Sequence, residues 1–383
     1  MADTWNNVEL SNISRRKSYT LNHDYDATSK DSNNHNNSNK KETNEEVIEP
    51  PPEAITLEPG SSIKPKVTND NVESLLRRLY GVTIGEITEL ISYDDRNYFV
   101  KEDPNVKNPF ILTHCTHGYV LKIINSLDSK KVDFIDAQIK LFLCIFEAKQ
   151  KIQCPRPVPN VNGKYYSVET INESEHVNFQ HIAYESHQST WQLQMVPKLR
   201  DFLFVLKDAS RKLLIEEIIE CFEKNILEKL NTFAMQIIHG DYNEQNIIVQ
   251  LSDNGKDYKV VGVIDFGDTN KSPMLFEVGI GLTYMLLQAK NLESGGIFLA
   301  GFETIQPLMA NEKHYLKYCV AARLAQSLVM GAYTHSIDTT NEYVLLTQEQ
   351  GWKLIEELWC ERFKEIDDIW ENSANKYLTQ SCK

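Results

Sequence analysis

Ile238-His239-Gly240-Asp241-Tyr242-Asn243-Glu244-Gln245-Asn246, followed by Val263-Ile264-Asp265-Phe266-Gly267-Asp268, is the stretch that decides the reading of this chain. Asp241 and Asn246 stand five residues apart on a loop that runs into apolar, strand-like residues 247–251. A second strand-like run covers residues 260–264, with the turn dipeptide Asn254-Gly255 between the two. The returning strand ends at Asp265, which brings its carboxylate to the side of Asn246. Phosphoryl transfer asks little covalent chemistry of a protein. It needs a carboxylate beside the acceptor hydroxyl and oxygen ligands that hold Mg²⁺ against the donor phosphates. Asp241 is the candidate catalytic base here, and Asn246 and Asp265 are the candidate metal ligands. Either polar triplet alone arises by chance; the pair joined by a hairpin is specific.

Upstream of this stretch the pattern is mixed. Asn69-Asp70-Asn71 precede a helical face of Val72, Leu75, Leu76 and Leu79, and Gly81 stops that helix. Strand-like runs cover 84–91, 97–101 and 118–124. A helix is expected over 132–151, with Ile135, Ile139, Phe142 and Phe146 on one side and Pro155, Pro157 and Pro159 beyond its end. Lys122 alternates with apolar neighbours in Tyr119-Val120-Leu121-Lys122-Ile123 and is the candidate for the donor phosphates. No Gly-rich loop occurs. The equivalent turn, Ser92-Tyr93-Asp94-Asp95-Arg96-Asn97, offers its amides and the Asn97 side chain to phosphates, with its acids opposing them. Downstream, helical spacing covers 209–232, 276–287, 315–330 and 352–370. A strand-rich first part and a helical second part make an α+β fold of two lobes, a small antiparallel-sheet N-lobe and a mainly helical C-lobe.

Composition sets the bounds. A net charge of −14 argues against a general nucleic-acid binder, whose phosphate contacts need surplus Lys and Arg. No apolar run reaches the roughly 20 residues of a membrane-spanning helix, and the start of the chain carries no signal-peptide core. Seven cysteines without a CxxC pair suit reduced thiols and a cytoplasmic location. Residues 1–66, rich in Asn, Ser and Lys with Pro50-Pro51-Pro52, read as a disordered tail. Residues 67–170 then form a nucleotide-binding N-lobe, and 171–383 a helical C-lobe with the catalytic loop and metal site.

The spacing from Asp241 to Asn246 is that of a kinase catalytic loop. With residues 264–268, this loop resembles the aminoglycoside phosphotransferase-type kinases, whose fold is protein-kinase-like. Within that family the hydroxylysine kinases are the most similar branch. That likeness rests on Ile87-Thr88-Glu89-Leu90, residues 92–95 and 119–125, Phe276-Glu277-Val278, residues 299–303 and residues 326–330. The resemblance implies Mg²⁺-dependent transfer from GTP or ATP to the hydroxyl of 5-hydroxy-L-lysine. It gives Asp241 the hydroxyl proton, Asn246 and Asp265 the metal, and Lys122 the phosphates. His239 would brace the loop and Glu277 would bond its backbone. Asp268 is either a partner for the acceptor's ammonium group or a solvated acid.

Two departures from the family stand out. The acid partner of Lys122 falls at Asp136, where the family has Glu, with Glu147 as the fallback. The stretch between the proline turn and the helix before His239 is short. It holds one strand-like run over 164–169, then Asn172, Glu173, Ser174 and His176, with no recognisable strand to read the nucleotide base. Two other readings therefore fit the residues, an inactive pseudokinase-like binding protein and a kinase for another amino alcohol. Oligomeric state is not written in the sequence.

Overall fold

The computed structural model of the chain describes residues 57–103, 107–112, 115–147, 152–169, 188–252, 255, 257–340 and 347–381. Helix α1 (Asn69–Leu75) starts one residue earlier than its Asn-rich cluster suggests. The Thr68 hydroxyl accepts the Asn71 N–H at 3.3 Å, and the Asn71 side chain accepts the Thr68 N–H at 3.1 Å, a reciprocal cap. The chain leaves this helical segment at Gly81, whose φ of 64° favours glycine.

Strands β1 (Thr83–Leu90), β2 (Arg96–Asp103) and β3 (Tyr119–Ile123) form an antiparallel sheet in that order. Alternation along β2 sends Tyr98 and Val100 under α1, where they pack with Val72 and Leu76. Asn97 takes the opposite face, directly across from Lys122 on β3. Helix α2 (Val132–Glu147) follows.

A 3₁₀ segment, Leu193–Val205, opens the larger, helical lobe. Helix α3 (Ala209–Asn225) is capped by Asp208, which accepts the Ser210 and Arg211 N–H groups. Then come β4 (Met235–Ile238), β5 (Ile247–Leu251), β6 (Tyr258–Val263) and β7 (Asn270–Pro273). β4 pairs with β7 and β5 with β6, both antiparallel, so the two short ladders frame the segments 239–246 and 264–269. Helices α4 (Met274–Ala289), α5 (Ser294–Glu303), α6 (Leu316–Ile337), α7 (Gln348–Glu356) and α8 (Ile366–Ser381) complete the lobe. α6 packs against α3, α4 and the 3₁₀ segment. Every residue from 319 to 331 is buried, as expected of a helix that is apolar around most of its circumference. All these elements belong to one unit, Glu53–Lys383.

The sequence expectations need four adjustments. The helix expected over 209–232 ends at Asn225 and continues as a separate 3₁₀ turn, Leu227–Thr232. The helical run 352–370 divides into α7, a π turn at Glu357–Glu361, and α8. Residues 164–169 are irregular rather than a strand. Residues 57–66, read as the end of a disordered tail, lie along the folded part. Leu57 packs on the helical core and donates to Thr190 Oγ1 at 3.3 Å; Gly60 N–H donates to the Tyr333 hydroxyl at 2.6 Å. The Ile63 carbonyl accepts from Ser126 N at 3.0 Å, and Lys64 Nζ donates to Ser92 O at 3.0 Å. Polar composition hides such a segment because hydrogen bonds to distant partners hold it, with Leu57 as its contact with the helical core.

Candidate active site

The loop after β4 is held by its backbone. His239 Nε2 donates to the Ile264 carbonyl at 3.0 Å, which leaves Nδ1 to accept the Asp241 N–H at 3.3 Å. One imidazole thus ties the loop to the end of β6. Glu277, in the first turn of α4, accepts the N–H groups of His239 (3.3 Å) and Gly240 (2.9 Å). Burial pushes the Glu277 carboxyl above its ordinary range, while the Gly240 amide and His239 pull against that shift. Gly240 has φ 82°, and a Cβ there would run into the Asp268 carbonyl oxygen. Only glycine satisfies both demands.

Asp241 is fixed on both oxygens. Oδ1 accepts Arg323 Nη2 at 2.7 Å. Oδ2 accepts Asn243 Nδ2 at 3.0 Å and Asn246 Nδ2 at 2.9 Å. Arg323 comes from the buried centre of α6 and is 1% exposed. Its guanidinium lies over the Trp191 and Tyr284 rings, at 5.1 and 5.5 Å, and also donates to the Trp191 carbonyl and to Gln326 Oε1. Arg323 did not emerge from the sequence reading. The available signal is a lone cation within an otherwise apolar helical run, because a buried Arg calls for a partner.

Asn246 is buried, at 7% exposure, and its Nδ2 is committed to Asp241. Its Oδ1 has no hydrogen-bond partner among the described residues. Asp265 follows β6 with φ 58°, a left-handed conformation that a short polar residue tolerates. The Ile264 N–H donates to the Asn246 carbonyl at 2.9 Å, so the two candidate metal ligands sit on bonded stretches of backbone. Burial tends to raise the Asp265 carboxyl, but the charge and hydrogen bond of Lys122 outweigh it and hold the group below the usual carboxylate range. An ionised carboxylate beside a free amide oxygen is a donor set that suits Mg²⁺, which takes one or two protein carboxylates and fills its remaining positions with phosphate and water.

Lys122 Nζ bridges Asp95 Oδ2 at 2.9 Å and Asp265 Oδ1 at 3.2 Å. Burial works against its charge; the two carboxylates more than offset that and raise its pKa. The acid at Lys122 is therefore Asp95, not Asp136. Asp136 pairs with Lys140 one turn along α2, at 2.6 Å. Helix phase explains the difference. Gln138 and Phe142 occupy the face turned to the 265–267 segment, and Asp136 lies roughly 200° around the helix from Gln138. Gln138 Nε2 donates to the carbonyls of Phe266 (2.9 Å) and Gly267 (3.2 Å), and the Phe142 ring meets the Phe266 ring edge-on at 5.1 Å. The side chain of Glu147 lies outside the described residues. So do Asn172, Glu173, Ser174 and His176, in the stretch where a base-reading strand was sought.

Asn97 faces the same side as Lys122, and its Oδ1 is buried without a hydrogen bond, an exception of the kind that gathers at functional sites. Asp268 is no simply solvated acid. It accepts from Ser189 Oγ at 2.8 Å, and burial together with Asp241 pushes its carboxyl up to about 7. A cavity lies beside this cluster, lined by Leu57, Asp94, Asp128, Lys131, Ser189 and Trp191, among others. Hydrogen bonds thus link Asp241 to Asn246, Asn246 to the backbone before Asp265, and Asp265 to Lys122, with Asn97 across the ladder from Lys122, while Asp136 pairs with Lys140 instead.

Comparison with known proteins gives the same reading. A profile of the phosphotransferase enzyme family (APH) matches residues 177–306. Hydroxylysine kinase of Xenopus laevis is 30% identical over 371 residues, covering 82% of this chain and 96% of that protein. The Mus musculus hydroxylysine kinase is 28% identical, covering 84% and 96%. Among solved structures, a microcompartment-associated aminopropanol kinase superposes with a TM-score of 0.52 at 15% identity, over 78% of this chain and all of that one, and so shares the fold. The chain is a small-molecule phosphotransferase acting on an alcohol, and it belongs to the hydroxylysine kinase branch of the aminoglycoside phosphotransferase-type kinases.

Proposed function

We propose that the chain transfers the γ-phosphate of GTP or ATP to the side-chain hydroxyl of 5-hydroxy-L-lysine, with Asp241 as the base. The observation that carries this reading is the fixed Asp241 carboxylate. Of its roughly four lone-pair sites, three are occupied by Arg323, Asn243 and Asn246. The fourth, on Oδ1, is left for an acceptor hydroxyl, whose proton passes to that oxygen as the alcohol oxygen attacks the γ-phosphorus and the bond to the β-phosphate oxygen breaks, releasing GDP or ADP. Asn97 and Lys122 face the donor phosphates, and Lys122 offsets their charge. Asn246 Oδ1 and Asp265 would hold Mg²⁺, which when bound would neutralise charge on the transferring phosphoryl group. Closure of the lobes excludes water as a competing nucleophile.

The choice of acceptor is supported by the names of the relatives and by the acidic surroundings of the cleft. Asp268, a poorly stabilised carboxylate beside Asp241, gains from a nearby ammonium group of the kind hydroxylysine carries. The residues assigned here use a cytoplasmic pool of nucleotide and Mg²⁺. Among the described residues no helix is long and apolar enough to cross a membrane.

The test is an assay of purified protein with Mg²⁺ and either GTP or ATP, against a panel of hydroxylated amines that includes 5-hydroxy-L-lysine and 1-amino-2-propanol. A kcat/KM for hydroxylysine well above the rest supports the proposal. Equal or higher kcat/KM for another amino alcohol rejects the acceptor, and no turnover on any acceptor rejects the chemistry.

A further inference from the structure

Lys122 must be held toward the donor phosphates for the chemistry above, and the sheet rather than helix α2 holds it. Asp95 stands at the end of the five-residue turn between β1 and β2. Its carboxylate is divided between two tasks. Oδ1 accepts both the backbone N–H (2.8 Å) and the Nδ2 (3.1 Å) of Asn125, just beyond β3. Oδ2 takes Lys122 Nζ at 2.9 Å.

Asn125 is itself immobilised. It is 4% exposed, its Oδ1 accepts the N–H groups of Leu127 and Asp128, and its Nδ2 also reaches Asp128 Oδ2 at 2.8 Å. The turn carrying Asp95 is anchored as well. Ser92 Oγ donates to the Asp95 carbonyl at 2.6 Å, Lys64 Nζ donates to the Ser92 carbonyl, and the Tyr93 ring meets Trp191 edge-on at 5.1 Å. Asp95 is 17% exposed against 37% for Lys122, so the lysine is the outer member of the pair and the aspartate its inner support. The alternative source of an acid, α2, presents the neutral Gln138 amide to the Phe266 and Gly267 carbonyls and keeps Asp136 on Lys140.

From this geometry we infer that Asp95 is the positioning residue for Lys122, taking over from the β1–β2 turn a task that an acid of the following helix would otherwise perform. The inference rests on the assignment of Lys122 to the donor phosphates. With Asp95 in place, Lys122 is balanced between the sheet and Asp265. Without it, Asp265 is the remaining carboxylate in contact, and the ammonium is drawn toward the metal ligands and away from the phosphates. Because Asp95 immediately precedes β2 and Lys122 lies on β3 of the same sheet, the pair makes no use of α2.

The experiment is a double-mutant cycle read by Mg-GTP and Mg-ATP affinity and by steady-state kinetics. Asp95→Asn keeps an oxygen for Asn125 and removes the charge. It is expected to raise the nucleotide Kd and KM about tenfold while leaving the acceptor KM unchanged, and in a Lys122→Ala background to change the Kd by less than about twofold. If Asp95→Asn fails to fold, Asp95→Ser, which also leaves an oxygen for the Asn125 amide but cannot reach Lys122, takes its place in the cycle. Lys122→Ala separates the two layers of the argument. If it leaves nucleotide affinity intact, the assignment of Lys122 fails, and the inference with it. If it weakens binding and Asp95→Asn does not, the inference alone is wrong. Additive effects in the cycle, or tighter binding by Asp95→Asn, would likewise overturn it, the last because the carboxylate would then occupy the phosphates' place. An Asp136→Asn variant as damaged in nucleotide affinity as Lys122→Ala would return the task to the helix.

Discussion

Arg323, 1% exposed at the centre of α6, holds the Asp241 carboxylate at 2.7 Å. A buried guanidinium depends on partners for its donors, and here Asp241, the Trp191 carbonyl and Gln326 take those of the two terminal nitrogens, while Nε is buried without a hydrogen bond. Arg323→Ala leaves those acceptors unanswered. It is expected to cost about 3–5 kcal/mol of stability and to lower kcat as Asp241 loses its fixed rotamer. Urea unfolding and kinetics on the same preparation check both effects.

Asp241→Ala separates chemistry from binding. Loss of the base lowers kcat by roughly 10²–10⁴, while the Mg-nucleotide Kd stays close to that of the parent, because the contacts assigned to phosphate and metal belong to other residues. Single-turnover rates and titration with a fluorescent nucleotide supply the two readouts. Unchanged turnover would remove Asp241 from the mechanism.

Mg²⁺ with nucleotide is expected to raise the melting temperature. Ligand at 100 times its Kd contributes about 2.7 kcal/mol, and the Asp265→Ala protein is expected to lose most of the Mg²⁺-dependent part. Running GTP and ATP side by side ranks the donors. A folded protein that shows no shift with either nucleotide is a pseudokinase in the sense weighed from the sequence.

Asp94 gives a pH dependence whose sign is fixed. Burial, then the neighbouring Asp95 and Asp128, push its carboxyl up to about 7, against the weaker pull of Lys64; Lys131 lines the same cavity. The folded state therefore keeps a proton that the unfolded chain releases near pH 4. Stability falls as pH rises from about 4 to about 7 and is level above that. Asp94→Asn is expected to flatten this part of the profile, measured by chemical unfolding at half-unit pH steps.

The 57–66 segment is a structural strap. Tyr333→Phe removes the hydroxyl that accepts the Gly60 N–H at 2.6 Å, at an expected cost of about 1 kcal/mol. A chain starting at residue 67 loses the Thr190, Tyr333, Ser126 and Ser92 contacts together and is expected to melt several degrees lower than one starting at residue 57. Equal melting temperatures would show that the strap adds nothing.

What could be read in advance follows a pattern. Asp241, Asn246 and Asp265 lie within a short contiguous stretch, where spacing and a hairpin alone decide which side chains meet. Lys122 was legible because strand alternation assigns it a face. Asp136 was misassigned because the sequence does not state which side of α2 will turn toward Phe266; Gln138 and Phe142 decide that through contacts made in the folded state. The 57–66 strap was missed because composition records apolar content and not backbone hydrogen bonds.

The sequence by itself determined the two-lobed α+β architecture, the loop that carries Asp241 and the strand that carries Lys122, since these depend on local periodicity and turn chemistry. Tertiary structure alone decided how the charges are matched. Arg323 reaches Asp241 across 82 residues, and Lys122 reaches Asp265 across 143. Such pairings depend on how helices and sheet pack, because a charge taken from water must find its partner wherever the fold brings one near.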